Sequence, residues 1–203
     1  MADELKSDEE RSEELKAWWR ANGTSVAAGI AIAIAGVFGW QQWQQHNINQ
    51  AEEASALFQN ALTAETGKVQ ALDAVAQEYG STPYAALAAL ASAAETSQTD
   101  PAATIASLKL ALDAKDKNVA DIATLRLARI YIAEGNLSEA ESLLDTDLAV
   151  AYTSLIEELK GDLFVAKKDL DNARKAYDKA ISSADNTSVQ YLQMKRDNLG
   201  KGA

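Results

Sequence analysis

Between Arg20 and Glu52 the chain carries no formal charge, counting His46 as neutral, and all four of its tryptophans stand at the ends of that stretch. Trp18 and Trp19 precede it; Trp40 and Trp43 close it. Its apolar centre, VAAGIAIAIAGVFGW at 26–40, is short for a membrane span, which needs about 20 mostly apolar residues. The polar, uncharged flanks Asn22, Thr24, Ser25, Gln41 and Gln42 lengthen it. The 21 steps from Trp19 to Trp40 cover about 31 Å of helix, the thickness of a bilayer's hydrocarbon core. Aromatic belts at both interfaces anchor a spanning helix to membrane lipid. A buried alanine-rich core helix gives no reason for every tryptophan to collect at two ends. A cleaved signal peptide fits worse, because such signals begin with a short basic region and this one would follow a long acidic tail.

Orientation follows from the basic residues. Lys6, Arg11, Lys16 and Arg20 precede the segment, and no Lys or Arg follows until Lys68. The positive side stays in the cytoplasm, which predicts that the bulk of the chain is exported. Ala27, Ala31, Ala35 and Gly39 recur every four residues on one stripe of the helix. Small residues there let a partner helix approach closely, although so alanine-rich a segment also produces such a stripe by composition alone.

Beyond the membrane segment the pattern is helical throughout. Ala, Leu, Glu, Gln and Lys dominate, alternating β-branched runs are absent, and proline occurs only at Pro83 and Pro101. Both prolines follow a capping residue, Thr82 and Asp100, so each reads as the first position of a helix. Ala51, Ala54, Leu57, Phe58, Ala61 and Leu62 keep the helical period, as do Val69, Leu72, Val75 and Tyr79. The fold class read from these features is all-α.

A repeat emerges from two stretches. Ala128, Tyr131, Gly135, Ala140 and Leu144 stand at offsets 0, 3, 7, 12 and 16, and Gly161, Phe164, Lys168, Ala173 and Tyr177 repeat them 33 residues later. Small residues at offsets 0 and 12 let two antiparallel helices touch, and the large ones at 3 and 16 fill the space around the contact. This is the spacing of a tetratricopeptide unit, whose period is about 34 residues. The copies are degenerate: Lys168 stands where a turn glycine is usual, and Asp147 where the second copy has Ala180. A fainter unit precedes them, with Leu90, Ala93, Ile105, Leu108 and Leu112 as its core. A closing helix, SVQYLQMKRDNL, is expected to turn Tyr191, Leu192 and Met194 inward. The predicted organisation is an acidic cytoplasmic tail (1–20), a transmembrane helix (21–43), membrane-proximal helices (44–80), and tetratricopeptide-like repeats with a capping helix (81–203). By the usual facing of first helices in such repeats, Arg129, Ile132, Asp162 and Val165 line the concave groove. Ordinary packing or solvent exposure accounts for those four equally well.

Enzyme chemistry finds no foothold. There is no cysteine, and the one histidine, His46, lies among glutamines without ligand-spaced partners. No phosphate loop or nucleophile elbow is present, so no enzyme activity, cofactor or metal is expected. A net charge of −11 argues against nucleic acid as a partner.

The acidic tail, the segment WWRANGTSVAAGIAIAIAGVFGWQQWQQH at 18–46, LRLAR at 125–129 and MKRDNL at 194–199 together resemble the ancillary subunit family of the bacterial Sec translocon. The resemblance covers nearly the whole chain and is weaker over 62–114, where this sequence is richer in alanine. It implies a single-pass inner-membrane protein whose C-terminal domain is periplasmic. The implied partners are SecYEG and a membrane-anchored periplasmic chaperone of the prolyl-isomerase type. Exported polypeptides would pass to periplasmic chaperones. For the tail, the resemblance implies a second role in restraining a cytoplasmic response regulator of an envelope-stress system. A scaffold for another envelope complex is the remaining alternative.

Overall fold

The computed structural model of the chain describes residues 8–200, where every regular element is helical. Lys6 and the first residues of the acidic tail lie outside the described residues. The chain divides into two compact units, one ending at Asn49 and one beginning at Gln50. One helix, α1 (Asp8–Thr63, 56 residues), contributes to both.

In the first unit α1 carries the uncharged stretch. Ile30, Ile32, Ile34, Val37 and Phe38 are all exposed, and none of the most apolar window is buried. A buried core helix is therefore not what this segment is. The helix is long and apolar enough to cross a membrane, and so long a bare apolar surface calls for an apolar surrounding, which a bilayer provides. At its two ends the Trp18 and Trp19 rings lie 6.5 Å apart, and the Trp40 and Trp43 rings 5.0 Å apart.

In the second unit the end of α1 is followed by α2 (Lys68–Glu78), α3 (Pro83–Thr96), α4 (Pro101–Leu112), α5 (Lys117–Glu134), α6 (Leu137–Leu144), α7 (Thr153–Ala166), α8 (Leu170–Ser182) and α9 (Val189–Asp197), with a 3-10 turn at Val150–Tyr152 before α7. The packing pairs α3 with α4, α5 with α6 and α7 with α8, and sets α9 against α8. These are stacked helical hairpins, none of which buries its apolar face alone.

Local chemistry fixes the helix starts. Asp100, Asp116 and Asp169 each accept a backbone N–H of the first turn, from Ala103, Asn118 and Asn172. Thr82 does not cap in this way. Its hydroxyl turns back to donate to the Tyr79 carbonyl at 2.9 Å, and Pro83 alone marks the start of α3. Helix ends repeat as well. Gly135 (φ 79°) and Lys168 (φ 62°) are both left-handed. Asn136 N–H donates to the Tyr131 carbonyl at 2.8 Å and Asp169 N–H to that of Phe164 at 2.9 Å. The turn geometry thus survives without its glycine, although a Cβ there is strained. Lys168→Gly is expected to stabilise this unit by about 0.5–1 kcal/mol, read as a rise of a few degrees in a thermal melt. An unchanged or lower midpoint would show that the lysine side chain offsets the strain.

Two core clusters fill the stack. The first gathers Ala61, Leu72, Val75, Ala88, Ala89, Ala93, Leu108, Ala111, Ala123 and Leu127, with Phe58, Leu90, Ile105, Leu112 and Tyr131 packed on it. The second is built on Leu125, Ala128, Ala140, Leu144, Leu159 and Leu163, and Tyr131 packs against it too. Leu57 and Leu62, which keep the helical period in the sequence, are exposed on α1. Among the alanines of the first cluster runs a buried polar seam. Ser92 donates to Asp73 at 2.6 Å and accepts from Ser107 at 3.3 Å, while the Thr96 and Thr104 hydroxyls meet at 2.9 Å. The degenerate position Asp147 falls past the end of the short helix α6, in an irregular stretch. Buried Asp121 holds that stretch by accepting the Ala149 N–H at 2.9 Å, while Lys117 donates to the Asp147 carbonyl.

Candidate interaction groove

The two repeat copies differ in which small residue lets their helices meet, Ala128 in the first and Gly161 in the second. Gly161 on α7 has no side chain, and the space is taken by the ring of Tyr177 from α8, which is 2% exposed. At this contact α7 and α8 approach closely. Ala128, Ala140, Leu144 and Ala173 are likewise buried, whereas Tyr131 and Phe164 are half-buried.

Ridges of α5, α7 and α9 enclose a cleft of 520 Å³. Arg129 and Ile132 of α5, Asp162 of α7, and Tyr191 and Lys195 of α9 line it. Three of the four groove residues expected from sequence are therefore brought together. Val165, one turn beyond Asp162, is exposed and does not line the cleft.

Its floor is an ion network that the sequence did not announce. Lys195 donates to Glu158 at 2.8 Å and to Asp162 at 2.6 Å, and its ammonium lies 5.8 Å from the Tyr177 ring centre and 5.2 Å from that of Tyr191. Tyr177 Oη donates to the other Asp162 oxygen at 2.6 Å. The Arg129 guanidinium stands 3.9 Å from Glu158. Burial pushes the Lys195 ammonium down, but hydrogen bonds and charge from Asp162 and Glu158 outweigh it, and the net shift is upward. Lys195 stays charged and fastens α9 to α7.

Burial raises the Tyr177 phenol well above its ordinary value, helped by its hydrogen bond to Asp162 and the charge of that carboxylate. A group raised on folding supports the fold fully below its unfolded pKa, about 10 for tyrosine, and that support is lost as pH climbs beyond. Alkaline titration is expected to cost the native chain about 1.4 kcal/mol per pH unit above that point more than it costs Tyr177→Phe. Equal slopes from denaturant melts at pH 9.5–11 would count against this account.

The closing helix differs from its sequence reading. Leu192 is buried, at 1% exposure, but Tyr191 and Met194 are 51% and 52% exposed. The shielded positions of α9 are Val189, Leu192, Lys195 and Arg196, so a lysine stem stands where the sequence reading put Met194. The seven-residue spacing of Leu192 and Leu199 was the available signal; it places position 195 between them on the same face. The cleft holds two carboxylates, Glu158 and Asp162. Its carboxylates are committed to Lys195 and Tyr177, and among the described residues no cluster of three His, Cys, Asp or Glu side chains could hold a metal ion.

A family model described as a tetratricopeptide repeat-like domain matches residues 16–201. The chain is 30% identical over 198 residues to a Haemophilus influenzae protein named ancillary SecYEG translocon subunit, covering 95% of this chain and 97% of that one. An Escherichia coli protein of the same name is 29% identical over 201 residues, again with 95% and 97% covered. A third, from Neisseria gonorrhoeae, is 28% identical over 211 residues, covering 98% of this chain and all of the relative. No solved structure matches.

Proposed function

The chain belongs to the tetratricopeptide repeat-like family of ancillary SecYEG translocon subunits, and from that premise we propose that it is a non-catalytic, membrane-tethered interaction module working beside the translocon. The observation that carries this is α1, whose apolar stretch is exposed throughout and is long and apolar enough to cross a membrane. The tether holds the groove near the channel at an effective concentration in the millimolar range for a short link, so weak contacts suffice. The basic flank sets the N-terminus in the cytoplasm and the repeats in the periplasm. There the groove receives a membrane-anchored chaperone of the prolyl-isomerase type, and exported polypeptides pass to periplasmic chaperones. Ala27, Ala31, Ala35 and Gly39 form the face toward the translocon.

Photo-crosslinking in cells from Ala31 and Ala35 tests the tether. SecYEG adducts are expected; adducts confined to another envelope complex would overturn it. For the groove, Arg129→Glu and Tyr191→Ala are the informative changes, because both side chains are exposed, whereas Asp162 is bound into the ion network. Chaperone pull-down is expected to fall with both, and full recovery in both rules the groove out.

A second reading rests on the tail, which is helical from Asp8 and exposes Leu15. In that reading it restrains a response regulator. Deleting residues 2–14 should then release the stress response and leave translocon co-purification intact.

A further inference from the structure

A second recess adjoins the cleft. Ala93, Ala94, Leu108 and Ile130 wall a pocket of 290 Å³ between α3, α4 and α5, and Arg126 and Arg129 stand on its lining. Its two hydroxyls are already used: Ser97 donates to the Ala94 carbonyl, and Thr104 to that of Asp100. The polar chemistry left is cationic. Arg126 is exposed and has no ion pair or hydrogen bond among the described residues, and Arg129 has only the 3.9 Å approach to Glu158. In a chain of net charge −11, a guanidinium with no partner among the described residues beside one held only at 3.9 Å from its carboxylate, both at an apolar pocket, is an oddity.

We infer that this pocket is a subsite for an extended peptide, taking one apolar side chain into the recess while Arg126 and Arg129 together grip a carboxylate two residues away. Three positions apart on α5, the arginines have Cβ atoms about 5–6 Å from each other, close enough to converge on one carboxylate. In an extended chain, side chains two residues apart share a face and lie about 7 Å from each other. An acidic residue on the arginines therefore delivers the next same-face side chain to the pocket. The inference deepens the groove reading above and rests on it, not on the tether.

The test uses the full chain in zwitterionic nanodiscs and a fluorescent peptide that bears leucine and glutamate two residues apart. Saturable anisotropy is expected, weakened about tenfold when that glutamate is glutamine and by added salt. Arg126→Glu, which takes no partner from the fold, should abolish it at an unchanged melting temperature. Ala94→Trp, which fills the recess and keeps both arginines, should also block the peptide. Equal binding of the glutamine peptide, no binding by the native chain, or an arginine dependence seen only with anionic-lipid vesicles would each overturn the subsite. Crosslinks from Ala31 to SecYEG report the tether whatever this titration gives.

Discussion

Replacing Gly161 with alanine is expected to destabilise the repeat unit by about 2–3 kcal/mol, although alanine is the better helix former by about 1 kcal/mol. The Cβ added at Gly161 would stand within 3 Å of three atoms of the Tyr177 ring, closer than such carbons approach one another. Tyr177 cannot step aside cheaply. It is buried, its hydroxyl donates to Asp162 at 2.6 Å, and Lys195 lies over its ring. Either α7 and α8 separate or the ring leaves its site, and both lose packing together with a hydrogen bond to a charged group. A thermal melt should show a drop of roughly 8 °C for a unit of this size. Gly161→Ala combined with Tyr177→Leu should regain part of the loss. Gly80→Ala, where nothing stands within 4 Å of the added atom, should change little. A Gly161→Ala chain as stable as the native one would dismantle the close-approach account of the repeat.

The second large effect is expected at Lys195. Changed to methionine, it leaves Asp162 without a cation and Glu158 with only the Arg129 guanidinium at 3.9 Å, at 24% and 14% side-chain exposure. Removing one partner from a fully buried pair costs about 3–5 kcal/mol. Partial solvent access reduces this to about 2–3 kcal/mol. Because the pair joins α9 to α7, the loss should appear first as faster hydrogen exchange over 189–197, with the α5–α6 hairpin spared. Adding Glu158→Gln and Asp162→Asn to Lys195→Met removes the stranded charges and is expected to recover most of the stability. Unaltered exchange in α9 would show that packing of Leu192 alone holds the cap.

These two positions differ in how visible they are in the sequence. Gly161 is legible because the repeat puts a small residue at the same offset in both copies, Ala128 and Gly161. Lys195 is not. A lysine in a short polar helix reads as solvated surface until two carboxylates from 33 and 37 residues earlier are placed beside it. The α3 region was illegible for another reason. PYAALAALASAAET has alanine on nearly every face, so its periodicity does not say which side is buried. The structure buries Ala85, Ala86, Ala88, Ala89 and Ala93 and leaves Leu87 partly exposed, with the Ser92 and Thr96 hydroxyls paired inside. Arg129, Ile132 and Asp162 were reached through repeat register. Arg126 was not, because its pocket depends on how α3 and α4 stand against α5.

By itself, then, the sequence determined whatever is local or periodic: an apolar stretch bracketed by tryptophans, an all-α chain, hairpins in a 33-residue register, and helix starts at Pro83 and Pro101. Those follow from transfer energies, backbone sterics and capping, which act within a turn or two of helix. Tertiary structure alone decided the burial of Lys195 among carboxylates, the rotation of α9 that sends Tyr191 and Met194 outward, the hydroxyl seam, and the placing of Arg126 and Arg129 beside an apolar recess. Each of these depends on which distant side chain supplies the partner, and charge and hydrogen bonding in a half-dry interior are settled by that partner rather than by sequence neighbours.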